Sequence, residues 1–137
     1  MTRVDFYTEA SDRLELACKL AHKSVQSKAR MLVFVPDAEM RARLDKMLWL
    51  NPPIGFVPHC LVGAPVAEET PVLLAPSIDA PPIDDILLNL SDEWPPTFAR
   101  FQRLIEIVTQ AEDDKALART RYRSYRDQGY PKETHNL

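Results

Sequence analysis

The positively charged side chains of this sequence gather in one segment near its C-terminal end, KALARTRYRSYR at 115–126. This segment holds five Lys and Arg residues and no acid, and the chain has a net charge of −3, so the remainder carries −8. Arginine offers a rigid fork of N–H donors that fits carboxylates and phosphates, and tyrosine offers a flat apolar surface. The residue types therefore indicate a surface that binds an anionic ligand.

Helical spacing brings most of these side chains together. At about 100° per residue, one helix face carries Lys115, Arg119, Tyr122 and Arg126, with Arg123 beside them. Such a face is often only solvated. Two ligands would satisfy it: a nucleic-acid backbone with bases stacked on the tyrosines, or an acidic peptide ending in an apolar residue and a free carboxylate. The residues alone do not choose between these alternatives.

His59 and Cys60 form the pair that suggests catalysis, because an imidazole can hold a thiolate ready for attack. Neighbours on an extended segment point to opposite faces, however, so packing is the simpler interpretation. His22 and His135 stand alone in the sequence and are expected to face solvent, and no HxxxH or CxxC spacing indicates a zinc site. We therefore expect no catalytic residues, no metal and no cofactor.

Acidic runs and glycines give two further negative predictions. A solvated loop-to-strand junction explains Asp84-Asp85, and a solvated helix start explains the acids at 112–114, more simply than a cation site does. The three glycines are scattered, so the chain lacks the Gly-rich turn that cradles phosphates. Nucleotide binding is disfavoured.

Aromatic residues beside prolines form a second candidate surface. Trp49 follows a helical pattern, and Phe56, Val57 and Pro58 lie in the proline-rich loop after it. Such residues either cap the core or bind a partner, and the residues alone favour the core.

Strand and helix patterns alternate along the chain and predict a single α/β domain with a mostly parallel sheet flanked by helices. The continuously apolar run at 31–35 is typical of a central strand buried on both faces. The predicted strands are 4–7, 31–35, 71–75 and 85–90, with 54–59 extended. Ser11-Asp12 and Asp37 offer capping oxygens ahead of the first two helices, and the predicted helices are 13–28, 38–48, 97–110 and 112–128. The tail at 129–137 is expected to be flexible.

The composition also predicts where the protein resides. Its apolar runs fall far short of the roughly 20 residues that span a bilayer, and its first residues lack the apolar stretch of a signal peptide. Two cysteines are too few for a disulfide framework. We expect a soluble cytoplasmic protein that does not bind membranes.

Three motifs in this order and spacing resemble the family of chi subunits of bacterial DNA polymerase III: RLDKMLW at 43–49, FVPH at 56–59 and LARTRYRSYR at 117–126. The resemblance extends to DFY at 5–7 and DIL at 85–87, and it covers nearly the whole chain. It implies a Rossmann-like topology without a phosphate-binding loop. It also implies a clamp-loader accessory subunit of the replisome, without catalytic activity of its own.

The resemblance implies a ligand for the basic helix, the acidic C-terminal tail of single-stranded DNA-binding protein. Arg119 matches the arginine that holds the terminal carboxylate of the tail. Val108 and Tyr122 match the pocket for its last apolar side chain. The full set of predicted tail-binding residues is Val108, Lys115, Arg119, Tyr122, Arg123 and Arg126. This favours the peptide over nucleic acid, so that contact with DNA is indirect.

The resemblance also reverses the interpretation of the aromatic residues. Trp49, Phe56 and Pro58 match a surface that binds the psi subunit, which links chi to the clamp loader, or a helicase.

Overall fold

One parallel sheet organises the fold. The computed structural model describes residues 2–50, 57–79, 81–92, 95 and 97–136, and within these ranges it contains seven strands and three α-helices. The strands are β1 (Arg3–Ala10), β2 (Met31–Phe34), β3 (His59–Leu61), β4 (Val72–Ala75), β5 (Ile86–Asn89), β6 (Arg103–Thr109) and β7 (Lys132–Asn136). The helices are α1 (Arg13–Gln26), α2 (Ala38–Leu50) and α3 (Glu112–Asp127). The strand order is β3-β4-β2-β5-β6-β1-β7, which confirms the predicted α/β fold.

The apolar run at the centre of the sheet explains why helices lie on both faces. Met31 and Val33 pack into a cluster with residues of α1 and α2. Leu32 and Phe34 point the other way and pack into a cluster that includes Tyr125 of α3. Side chains alternate along a strand, so a strand covered on both faces must be apolar throughout. The prediction of a central strand is confirmed.

The first two helices begin at the predicted residues. Oδ1 of Asp12 accepts hydrogen bonds from the backbone N–H groups of Leu14 (2.9 Å) and Glu15 (3.0 Å), which caps α1. Oδ1 of Asp37 accepts the N–H of Met40 at 2.8 Å at the start of α2. These bonds satisfy donors that the first turn of a helix leaves unpaired.

The predicted helix at 97–110 is wrong. Phe98–Arg100 forms only a short 3₁₀ turn, and Arg103–Thr109 is strand β6, parallel to both β1 and β5. An interior strand carries apolar residues toward both faces of the sheet, and in β6 these residues also fit the spacing of an amphipathic helix. The β-branched residues Ile105, Ile107 and Val108 fit the strand better.

The prediction of a flexible tail at 129–137 is also corrected. Lys132–Asn136 forms β7, which pairs in parallel with β1 from Val4↔Lys132 to Thr8↔Asn136. Gly129, at φ +82°, turns the chain after α3. His135 does not stand alone in solvent: its ring stacks on Tyr7 at 4.5 Å between centroids, and its Nε2 lies 3.3 Å from Oδ1 of Asp5. As a polar edge strand, β7 lacks the hydrophobic pattern of a core strand.

Within the described ranges, no helix is long and apolar enough to cross a membrane.

Candidate functional site

The inner face of α3 is anchored to the sheet by a buried polar cluster. The Tyr125 hydroxyl donates a 2.8 Å hydrogen bond to Oε2 of Glu106 on β6, and Nδ2 of Asn89 donates one of 3.1 Å to Oε1. Nε of Arg121 lies 3.4 Å from the same Oε1. Burial raises the pKa of Glu106, and the Arg121 charge and the two hydrogen bonds only partly oppose this. Arg121 therefore faces a buried carboxyl and does not contribute to the exposed surface of the helix.

The first turn of α3 is fixed by Asp114. Its Oδ2 accepts the backbone N–H of Thr109 at 2.7 Å, and its Oδ1 accepts from Nη2 of Arg13 at 2.6 Å. Burial alone would raise the pKa of Asp114, but the Thr109 and Arg13 interactions outweigh it and lower the pKa below its ordinary value. The helix start was predicted correctly, but Asp114 is buried and not solvated.

The outer face of α3 borders a groove of about 360 Å³ whose other walls are β1 and β7. Its floor is apolar, made by Phe6, Val108 and Ala118, and its rim is polar. The rim and remaining wall residues are Thr8, Glu9, Lys115, Arg119, Tyr122, Thr134 and Asn136. An apolar floor with a few polar groups at its edge is the usual form of a binding site for a small ligand or a chain end.

The groove brings together four of the predicted tail-binding residues, Val108, Lys115, Arg119 and Tyr122. The other two, Arg123 and Arg126, are exposed but do not line it, and Nε of Arg126 lies 3.3 Å from Oδ1 of Asp127. Helical spacing predicted that Lys115, Arg119 and Tyr122 share a face, and all three line the groove, whereas Arg126 does not.

Charges at the rim are paired unequally. Nζ of Lys115 lies 3.1 Å from Oε1 of Glu9. Arg119 is exposed, and no residue in the described part of the chain forms a hydrogen bond or ion pair with its guanidinium. Tyr122 packs against Phe6 at 5.3 Å between ring centroids, and Nζ of Lys132 lies 5.4 Å from the Tyr122 centroid. An apolar floor therefore ends beside a guanidinium that has no partner among the described residues.

Comparison with known proteins identifies the family. The family model described as "DNA polymerase III chi subunit, HolC" matches residues 1–133. The chain belongs to the family of DNA polymerase III chi subunits.

Curated relatives agree with this assignment. DNA polymerase III subunit chi of Pseudomonas aeruginosa is 37% identical, over 100% of this chain and 98% of the relative. The subunit chi of Escherichia coli K12 is 32% identical, over 85% of this chain and 80% of the relative. That of Haemophilus influenzae is 30% identical, over 90% and 86%. This chi-family chain is therefore a component of bacterial DNA replication.

The sequence did not predict that β1 and β7 form walls of the groove in this chi-family protein. Phe6, Thr8, Glu9, Thr134 and Asn136 reach the groove only because both strands lie beside α3. The pairing of the first strand with the last is a long-range contact, and no local pattern in the sequence predicts it.

The second predicted surface lies at the end of α2. Trp49 is 53% exposed and Pro58 is exposed, while Phe56 lies outside the described residues. The Trp49 ring meets the ring of His59 edge-on, with centroids 5.5 Å apart. Trp49 is thus at the surface and not in the core, contrary to the interpretation that the residues alone favoured.

His59 and Cys60 point to opposite faces of the sheet. Nε2 of His59 lies 2.7 Å from Oδ1 of Asp45 on α2, whereas Cys60 packs against the apolar cluster on the α3 side. This arrangement places the thiol of Cys60 and the imidazole of His59 on different sides of β3, as expected for neighbours on a strand.

Proposed function

We propose that this chi-family chain is a non-catalytic adaptor that binds the acidic C-terminal tail of single-stranded DNA-binding protein in the α3 groove. It holds a second replisome partner, the psi subunit of the clamp loader or a helicase, through the surface around Trp49, Phe56 and Pro58, and it acts in the cytoplasm. The observation that carries the proposal is the apolar groove floor beside the guanidinium of Arg119, which no described residue pairs with.

The groove offers each chemical group of such a tail a complementary group. Its floor, with Val108 and Phe6, suits an apolar last side chain, and the exposed fork of Arg119 suits the terminal carboxylate beside it. Lys115 at the rim and Arg123 on the next exposed turn suit the acidic side chains that precede the terminus. A chain end meets all three groups at once, whereas an internal acidic segment has no main-chain carboxylate directly beside an apolar side chain.

Direct binding of single-stranded nucleic acid is the alternative, and two contacts weigh against it. Base stacking needs an open aromatic face, but Phe6 and Lys132 both lie close to the Tyr122 ring. Tyr125 is fully buried, and Arg121 is turned inward. We expect no shift of a labelled oligonucleotide in a gel at physiological salt, and a clear shift without any peptide would support the alternative.

The positions of the two surfaces suit an adaptor. The groove lies at the β7 edge of the sheet, and Pro58 precedes β3 at the other edge. Six inter-strand spacings of about 4.8 Å separate these edges by roughly 29 Å, so the two surfaces do not overlap. Trp49→Ala should reduce recovery of psi or a helicase in a lysate pull-down while the affinity for the tail peptide stays unchanged.

Arg119→Ala tests the tail site itself. The probe is a fluorescent peptide of several aspartates ending in phenylalanine with a free carboxylate. Loss of a charge-assisted hydrogen bond of about 1.5–3 kcal/mol should weaken binding at least about tenfold. The matched control is Arg100→Ala, which removes an exposed arginine from the 3₁₀ turn Phe98–Arg100, outside the groove lining. Equal affinity of the two variants would contradict the proposal.

A further inference from the structure

A carboxylate from the protein itself already occupies part of the basic rim of the groove. Oε1 of Glu9 lies 3.1 Å from Nζ of Lys115, with 45% and 27% of the two side chains exposed. Both residues line the groove. Lys115 is therefore neutralised when no ligand is present, whereas no described residue neutralises Arg119.

The backbone of β1 is distorted at the residue that supplies this carboxylate. Glu9 has φ +61°, in the left-handed region that residues other than glycine, asparagine and aspartate seldom adopt. The pairing of β1 with β6 shifts register between Tyr7 and Ala10, so Glu9 lies in a bulge, and Nε2 of Gln110 donates a 3.3 Å hydrogen bond to its carbonyl oxygen. A bulge re-aims the side chain of the extra residue.

We infer that Glu9 is an internal competitor for Lys115, which an acidic ligand must displace. This inference rests on the proposed function, because the displacing group is a side-chain carboxylate of the acidic peptide. Binding at Lys115 then exchanges one carboxylate for another, so this lysine adds little to affinity. Glu9 thereby limits how much the rim contributes to the affinity for the peptide.

Competition between Glu9 and the peptide for Lys115 predicts two effects of removing the Glu9 charge, one on the affinity for the peptide and one on its salt dependence. Glu9→Gln keeps the size of the side chain and removes its charge, so the acidic peptide should bind about two- to fivefold more tightly, the range of an exposed ion pair. The dissociation constant should also depend more steeply on salt, because the peptide would then replace dissolved ions and not a fixed internal carboxylate.

The experiment titrates the full chain with the fluorescent aspartate peptide that ends in phenylalanine. Four variants are compared with the natural chain: Glu9→Gln, Lys115→Met, the double variant of these two, and Glu68→Gln. The last makes the same charge change at an exposed residue of the 3₁₀ turn Ala67–Glu69, outside the groove lining. The inference predicts tighter binding for Glu9→Gln than for Glu68→Gln, and a much smaller gain when Lys115 is also replaced.

The failures of the two proposals are distinguishable. If Arg119→Ala abolishes binding but Glu9→Gln and Glu68→Gln bind alike, the inference about Glu9 is wrong and the tail site stands. An equal gain from Glu9→Gln with and without Lys115 contradicts competition for that lysine. If the natural chain does not bind the peptide, the proposed function and the inference fall together.

Discussion

The Tyr125 hydroxyl donates a 2.8 Å hydrogen bond to Oε2 of Glu106, a carboxyl group buried between α3 and the sheet. Together with the Arg121 contact to the same carboxyl, it holds the inner face of α3 against β6. The outer face of the same helix lines the groove. A rigid inner face therefore supports the ligand-binding face without contributing to it.

Removing this hydroxyl should change stability but not binding. Tyr125→Phe leaves the buried Glu106 without one of its hydrogen-bond partners, and an unsatisfied buried polar group costs about 1–3 kcal/mol. Urea denaturation should show a lower free energy of unfolding by about that amount. Tyr130→Phe is the matched control, and an equal effect of the two substitutions would contradict the anchoring role. The affinity of Tyr125→Phe for the peptide should stay within about twofold.

The lowered pKa of Asp114 predicts how the free energy of unfolding falls in acid. Its pKa in the folded chain lies below the ordinary value of 3.8, so the ionised form favours the folded state. Its contribution is complete above the pKa of the unfolded chain and is lost as the pH falls through the folded-state pKa. The free energy of unfolding, measured by denaturation at neutral pH and at about pH 3, should therefore fall less for Asp114→Asn than for the natural chain. Asp79→Asn changes an exposed loop residue and should show the same fall in the free energy of unfolding as the natural chain. A fall of that size in Asp114→Asn would contradict this account.

Cys18 should resist alkylation in the folded protein. Burial, with the charges of Asp12 and Glu15, raises the pKa of its thiol to about 11, so little of the reactive thiolate is present near neutral pH. Cys60→Ser leaves Cys18 as the remaining thiol in the sequence. Mass spectrometry after iodoacetamide treatment should show an adduct only in denaturing urea. Rapid labelling without urea would mean that the core around α1 opens readily.

The same treatment of Cys18→Ser tests the catalytic interpretation of the pair at 59–60. A packed thiol without a catalytic partner should label sluggishly near neutral pH. Fast and selective labelling of Cys60 would favour a nucleophilic role and would contradict an adaptor without catalysis.

The sequence predicted elements well where the local pattern had a single explanation. The apolar run of β2 and the Asp12 cap of α1 could each be identified from a few neighbouring residues. Strand β6 was mistaken for a helix because burial on both faces hides the alternation that marks a strand. Strand β7 was missed because an edge strand can be polar, and its pairing with β1 depends on residues more than 100 positions away.

The candidate site was predictable to the same extent. The spacing in α3 identified Lys115, Arg119 and Tyr122, but it could not show that Arg121 turns inward to Glu106. Glu9 gave no signal either, because its role depends on a bulge and on the neighbouring helix. Local periodicity identifies one wall of a groove, and the other walls follow from the order of strands in the sheet.

The central claim is that the groove captures a terminal carboxylate beside an apolar side chain. The most direct measurement compares two fluorescent peptides, identical in sequence, one with a free C-terminal carboxylate and one with a C-terminal amide. Amidation removes the charged acceptor for Arg119 and should weaken binding at least about tenfold. Arg119→Ala should bind both peptides equally weakly. Equal affinity of the natural chain for the two peptides would contradict the claim.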